Sequence, residues 1–285
     1  MRFDIGPWVL ALVGVAAGVA PAAAHPGWGL VRDPVRAVVY YTDLTQVWRV
    51  DAAGRRTVAV PGVHTHELRL DRDGNLYGEH LESVGGDRWR HRVWRLAPDG
   101  ALSELIPWRE GFLENYGFVA DERGALYWAS CSVPADRCVV KRRAPNGQVS
   151  AAGSGATFAR PFNFMAGDPR GGILVADGPD LRRITPADRL ETVARGLSRD
   201  SGRFAIMGIW AAPDSSIYVA GFEDRVVLRL VGDRREVVAR TPRPWQPSAA
   251  LRGPDGLWIT EYDGARVRLR RVGPAGRETI FGPGA

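Results

Sequence analysis

The chain has 285 residues, 45% hydrophobic and 25% charged, with 34 Gly and 20 Pro. That composition bounds it to one or two soluble globular units and suits many short strands joined by turns. The formal charge is +6 and Lys141 is the only lysine among 38 basic residues; the arginines form no long run, which argues against a nucleic-acid groove.

Residues 1–24 read as a secretory signal. Arg2 supplies the positive charge, Trp8 to Ala20 is unbroken apolar sequence, and Ala22-Ala23-Ala24 offers a small-x-small cleavage site. An uncleaved anchor is the alternative, since Gly6 to Ala24 carries no charge and approaches spanning length. Its Gly, Ala and Pro content makes a poor span, so the expectation is cleavage, leaving residues 25–285 as one domain with no stable membrane span. The destination is then the periplasm or the exterior. In such an oxidising compartment Cys131 and Cys138, close together between two strands, read as a disulfide rather than a metal site.

The mature chain repeats itself. An apolar stretch leads to an acidic or Gly-rich turn and a second apolar stretch, as in Asp71-Arg-Asp-Gly-Asn-Leu-Tyr77, Asp121-Glu-Arg-Gly-Ala-Leu-Tyr127 and Asp168-Pro-Arg-Gly-Gly-Ile-Leu174. Equivalent apolar positions are Val38, Leu76, Leu126, Ile173, Ile217 and Leu257, at successive differences of 38, 50, 47, 44 and 40 residues. A third stretch, a turn such as Ala97-Pro-Asp-Gly100 and a fourth stretch complete each copy. Four short strands in each of six copies predict an all-β, six-bladed β-propeller with four-stranded blades.

The phrases Gly253-Pro-Asp-Gly-Leu-Trp-Ile-Thr-Glu-Tyr-Asp-Gly-Ala-Arg-Val267 and Ala212-Pro-Asp-Ser-Ser-Ile-Tyr-Val-Ala220 resemble NHL repeats. The repeats also resemble the regucalcin–gluconolactonase superfamily. That resemblance implies a six-bladed propeller with one divalent cation in its central channel, held by Glu, Asn and Asp side chains, and hydrolysis of sugar lactones. Asn163 matches the family's inner-strand Asn by position. Trp28 stands where the family supplies Glu, and Met207 or Pro247 where it supplies the acidic ligand of a later blade, so an all-oxygen Ca²⁺ site does not transfer simply.

In a propeller the starts of the inner strands and the ends of the second strands meet at one face. Pairing Leu70 with Leu76 extends to His66 opposite His80, and the same register pairs Trp28 with Thr42, Tyr116 with Ser130, Asn163 with Asp177, Met207 with Gly221 and Pro247 with Glu261. Four of the five histidines, His64, His66, His80 and His91, fall in the second repeat near this rim. His66 and His80 with Asn163 and Asp177 are the expected ligands of a divalent ion (Zn, Mn, Fe or Ca), the histidines favouring a transition metal. Glu67 and Glu79 are the candidate general bases, and His64, Tyr116, Arg203, Trp245 and Glu261 the candidate substrate contacts. Structural readings stand beside these: acids after second strands cap turns, and paired histidines bond each other.

Two functions remain open. One is a metal-dependent hydrolase or lyase, lactonase-like, acting as a monomer on a small lactone- or ester-like substrate. The other is a non-catalytic module that binds a glycan, peptide or protein of the cell envelope.

Overall fold

The computed structural model describes residues 26–86, 88–111, 119–121, 123–131, 138–158, 164–202 and 204–284. The expectations for the segment 1–24, Tyr116, Asn163 and Arg203 lie outside these residues. Six antiparallel sheets follow one another along the chain, over 30–60, 69–110, 119–158, 165–194, 206–240 and 246–281. Each sheet orders its strands as in sequence, from the inner edge outward. Only the third adds a strand, Thr157–Phe158, which pairs back on Cys138–Arg143 beside Val149–Ala151. The chain is a six-bladed β-propeller.

The repeated acidic turns explain why each blade starts where it does. Asp71 Oδ1 accepts the N–H groups of Asp73 and Asn75, and Asp121 does the same for Arg123 and Ala125. A glycine at positive φ closes each of these turns, Gly74 at 79° and Gly124 at 81°. An aspartate that caps its own turn and a glycine free to turn left-handed make a tight hairpin between two apolar strands. The strands then bury both faces: Val38–Thr42, Ile217–Gly221 and Gly256–Tyr262 are buried along their whole length. That burial holds neighbouring blades together.

Among the described residues, no strand is exchanged between blades to lock the ring. The inner strands Leu30–Asp33 and Gln246–Gly253 pack side by side where the first and last blades meet. The backbone N–H of Trp28 donates to the carbonyl of His66 at 2.9 Å, tying the segment before the first strand to the second blade.

Blade 2 is the exception in size. Its strands Leu76–Gly85, Arg88–Leu96 and Leu102–Glu110 run ten, nine and nine residues. Their counterparts in blade 1 have five, four and five. Because second strands end at the face where inner strands begin, the surplus stands up as a wall on that face. His91, buried in it, bonds through Nδ1 to the carbonyl oxygen of Gly111 at 2.7 Å.

Candidate functional site

The six inner strands surround a channel of about 1170 Å³. Trp28, Glu67, Phe164 and Met207 line it from the starts of four of those strands. Trp28 joins this mouth to the histidine cluster: its indole stacks on His66 at 5.7 Å and meets the Phe164 ring edge-on at 4.9 Å.

The expected pairing of His66 with His80 is corrected. Arg69 faces Tyr77 and Leu70 faces Leu76 as the hairpin requires. Beyond Leu68 the alignment slips by one residue, for Leu81 N–H donates to His64 O. A slip of one residue turns side chains to the opposite face. His66 therefore lies against Glu79: its backbone N–H donates to Glu79 Oε1 at 3.0 Å and its Nδ1 lies 3.1 Å from the same oxygen. His80 turns away and meets the edge of the Trp108 ring at 5.1 Å. Its Nδ1 accepts the backbone N–H of His64 at 3.3 Å.

What the slip brings together is His64 and His66. As alternate residues of an extended segment they share one face, and their Nε2 atoms are 3.1 Å apart. The segment is held from behind by Thr65, which is fully buried. Thr65 Oγ1 donates to Glu79 O, the Trp94 indole donates to that hydroxyl at 3.2 Å, and Thr42 Oγ1 donates to Thr65 O at 2.8 Å. Gly78 permits this closeness, because a Cβ there would overlap the Trp94 ring and Thr65.

The charges follow from burial. A carboxylate accepts, so Nδ1 is the His66 nitrogen that donates to Glu79, and in the neutral ring the lone pair is then at Nε2. Glu79 is only 2% exposed. Glu67, partly buried where it lines the channel, is pushed up to about 8, chiefly by lost hydration and then by the Glu79 carboxylate, against the pull of Arg69. The pKa of His80 is lowered by burial and by the Arg92 charge. Arg90 and Arg92 lie 4.3 and 5.0 Å from the Trp108 ring centroid, so the wall of blade 2 is itself a packed unit.

Other expected site residues lie elsewhere. Glu261 does face Pro247 as predicted, but it is fully buried, with Arg268 Nε on Oε2 and Arg270 Nε on Oε1, both at 2.7 Å. Both oxygens are consumed by the blade core, which leaves none for a substrate. Trp245 is buried beneath Arg268, whose guanidinium carbon is 4.1 Å from the ring centroid, so it packs blade 6 rather than lining the channel. Asp177 sits opposite Asp180 at a turn, 3.9 Å from Arg182 Nε; burial is the first cause of its raised pKa. Met207 is bulged out of a ladder that pairs Ile206 with Gly221, and Thr42 N–H bonds to Gly29 O rather than lying level with Trp28. Among the described residues, no three of His, Cys, Asp and Glu converge on a metal position. Cys131 faces Cys138 across its hairpin, and Cys138 is fully buried.

The family's all-oxygen cation does not fit here. At the inner-strand positions that would supply its acids stand the indole of Trp28, the thioether of Met207 and the ring of Pro247.

No family model and no curated protein matches this chain. Solved structures do match it in fold. Virginiamycin B lyase from Staphylococcus aureus is 14% identical over 91% of this chain and 85% of its own, with a TM-score of 0.54. A gluconolactonase from Xanthomonas campestris is 15% identical over 85% of each chain, with a TM-score of 0.57. A glucose dehydrogenase is 17% identical over 87% of this chain and 96% of that one, with a TM-score of 0.58. Such identities establish a shared six-bladed propeller fold.

Proposed function

We propose that the chain is a hydrolase or lyase that acts on a small lactone- or ester-like substrate at the channel mouth beneath the blade 2 wall. The observation that carries this is the Glu79–His66–His64 arrangement. Glu79 fixes the tautomer of His66, so its Nε2 presents a lone pair beside the second imidazole of His64. Both reaction classes need a held basic nitrogen or an activated water, one to add water to a carbonyl and the other to remove a proton from carbon. Trp28 and Phe164 give the acyl or ring portion of the substrate an aromatic floor. Solved propellers that include a lyase and a gluconolactonase support the same choice of chemistry.

Glu79 orients His66 and is not itself the base in this reading, because its Oε1 is committed to His66. Glu67 lines the cavity, as do Asp71, Asp73 and Asp121. Residues 1–24 direct the chain out of the cytoplasm, where Cys131 and Cys138 join as a disulfide and the mature protein works as a monomer.

A panel of γ- and δ-lactones and aryl esters, assayed with the mature chain and with His64→Ala, tests the reading. Turnover of at least one compound, reduced at least 100-fold in kcat/KM by the substitution at unchanged Tm, is expected. Equal rates in both proteins across the panel would remove the site from the chemistry.

One observation favours the second reading, a binding module for an envelope glycan, peptide or protein. The outer strand of blade 2 exposes Leu102 and Leu105, and the tip of its wall exposes Val84. A partner held there leaves its affinity unchanged in His64→Ala and loses it in Leu105→Asp, the opposite pattern to catalysis.

A further inference from the structure

His64-Thr65-His66 places two imidazoles on one face of an extended strand, and their geometry distinguishes two ways of using them. A hydrogen bond running straight from one Nε2 to the other would set the ring centroids about 5.3 Å apart, the 3.1 Å separation plus two ring radii of about 1.1 Å. Two rings aimed at a shared point about 2.1 Å from each nitrogen would instead have centroids about 4.7 Å apart. The observed centroid separation is 4.6 Å. The rings converge. At such bond lengths the angle at the shared point is about 95°, between octahedral and tetrahedral values and suited to a metal rather than a proton.

We propose that the Nε2 atoms of His64 and His66 chelate one divalent transition-metal ion, with Glu79 orienting His66 and water completing the coordination. The chelate is built in advance. Thr65 is pinned to Trp94, Glu79 and Thr42, the carbonyl of His64 takes Leu81 N–H, and that of His66 takes Trp28 N–H. Little rotamer freedom remains to be lost when the ion enters. A carboxylate on the far nitrogen of a ligand imidazole fixes the ring and raises its basicity, which is where Glu79 stands, 3.1 Å from His66 Nδ1. Two neutral nitrogens select Zn²⁺, Cu²⁺, Ni²⁺ or Co²⁺ over Ca²⁺ and Mg²⁺. With two protein ligands the ion keeps open positions for water and substrate, and it supplies the lowered water pKa that hydrolysis requires. The metal assignment stands on geometry; its use in turnover rests on the hydrolase or lyase reading.

The test is titration of the chelator-stripped mature protein with Cu²⁺ and Co²⁺, read by electron paramagnetic resonance and visible absorption, with Zn²⁺ competition. One equivalent is expected to bind, with splitting from two nitrogens on Cu²⁺. His64→Ala and His66→Gln each weaken uptake at least tenfold, and Glu79→Gln weakens it about 10–100-fold. His80→Ala keeps its affinity within threefold. His64 is half-buried, so its variant remains informative even if His66→Gln does not fold. No stoichiometric uptake by the wild type, or uptake lost in His80→Ala and retained in His64→Ala, overturns the assignment. Metal bound without turnover of any lactone or ester sinks the enzyme reading alone; turnover by a protein that takes up no metal sinks the metal assignment alone.

Discussion

Trp28, just before the first strand, stacks on His66 of blade 2 at 5.7 Å between ring centroids, with planes 24° apart. The contact joins the channel mouth to the histidine pair and fastens blade 1 to blade 2. Trp28→Ala removes the stack, the edge contact with Phe164 and part of the packing on the main core cluster. A buried Trp→Ala change costs about 3–5 kcal/mol; Trp28 is partly exposed, so about 2–4 kcal/mol is expected. Urea unfolding checks the loss, and Trp28→Phe should restore more than half of it.

Glu261 tests whether a conspicuous acid in the inner hairpin belongs to the site or to the core. It is fully buried, and Arg268 and Arg270 each take one oxygen at 2.7 Å. Glu261→Gln leaves two buried guanidiniums short of a counter-charge, which costs about 3–5 kcal/mol. Chemical denaturation should show that loss, while metal affinity at His64 and His66 stays within twofold. A variant as stable as the wild type but inactive would return Glu261 to the site.

The difference between Glu261 and His66 shows what could be read in advance. Period, turn residues and strand alternation are local properties, and they carry the fold: the last strand, Glu278–Phe281, lies where the repeat places it. Register near the channel is another matter. It depends on single-residue irregularities at Met207, at Ser248 and beyond Leu68, and each moves a side chain to the other face. Strict extrapolation from Leu70 therefore paired His66 with His80 and passed over His64-Thr65-His66, although an i, i+2 pair on one strand was visible. Nor does the sequence pattern show that Glu261 meets two arginines, since such pairing belongs to side chains on a neighbouring strand.

Several turn aspartates make the propeller acid-sensitive. Desolvation alone would raise Asp71, but bonds from Asn75, Tyr77 and Asp73 outweigh it and lower its pKa. The side chain and backbone of Ser216 lower Asp214, and Arg266 and Ala265 outweigh desolvation at Asp263. A carboxyl with a depressed folded-state pKa contributes stability that is fully present above its unfolded pKa, about 3.9, and lost as pH falls through the folded value. The three aspartates should therefore contribute a constant amount from neutral pH to about 5 and lose it below about 4, whereas Glu67, raised to about 8, should make Tm climb as pH falls from about 8 toward 5. Asp71→Asn should flatten part of the loss below about 4 and lower Tm at neutral pH.

The hairpin holding Cys131 and Cys138 supplies the last test. The two residues are directly opposite each other in the ladder, and Cys138 is fully buried. Cross-linking so short a loop constrains the unfolded chain by about 2.5 kcal/mol in the loop-entropy account. If the exported protein forms the bond, thiol titration of the denatured, unreduced chain finds no free cysteine, and dithiothreitol lowers Tm by several degrees. Cys131→Ser with Cys138→Ser should match the reduced wild type. Two titratable thiols in protein purified from the periplasm would rule the bond out and weaken the case for an oxidising destination.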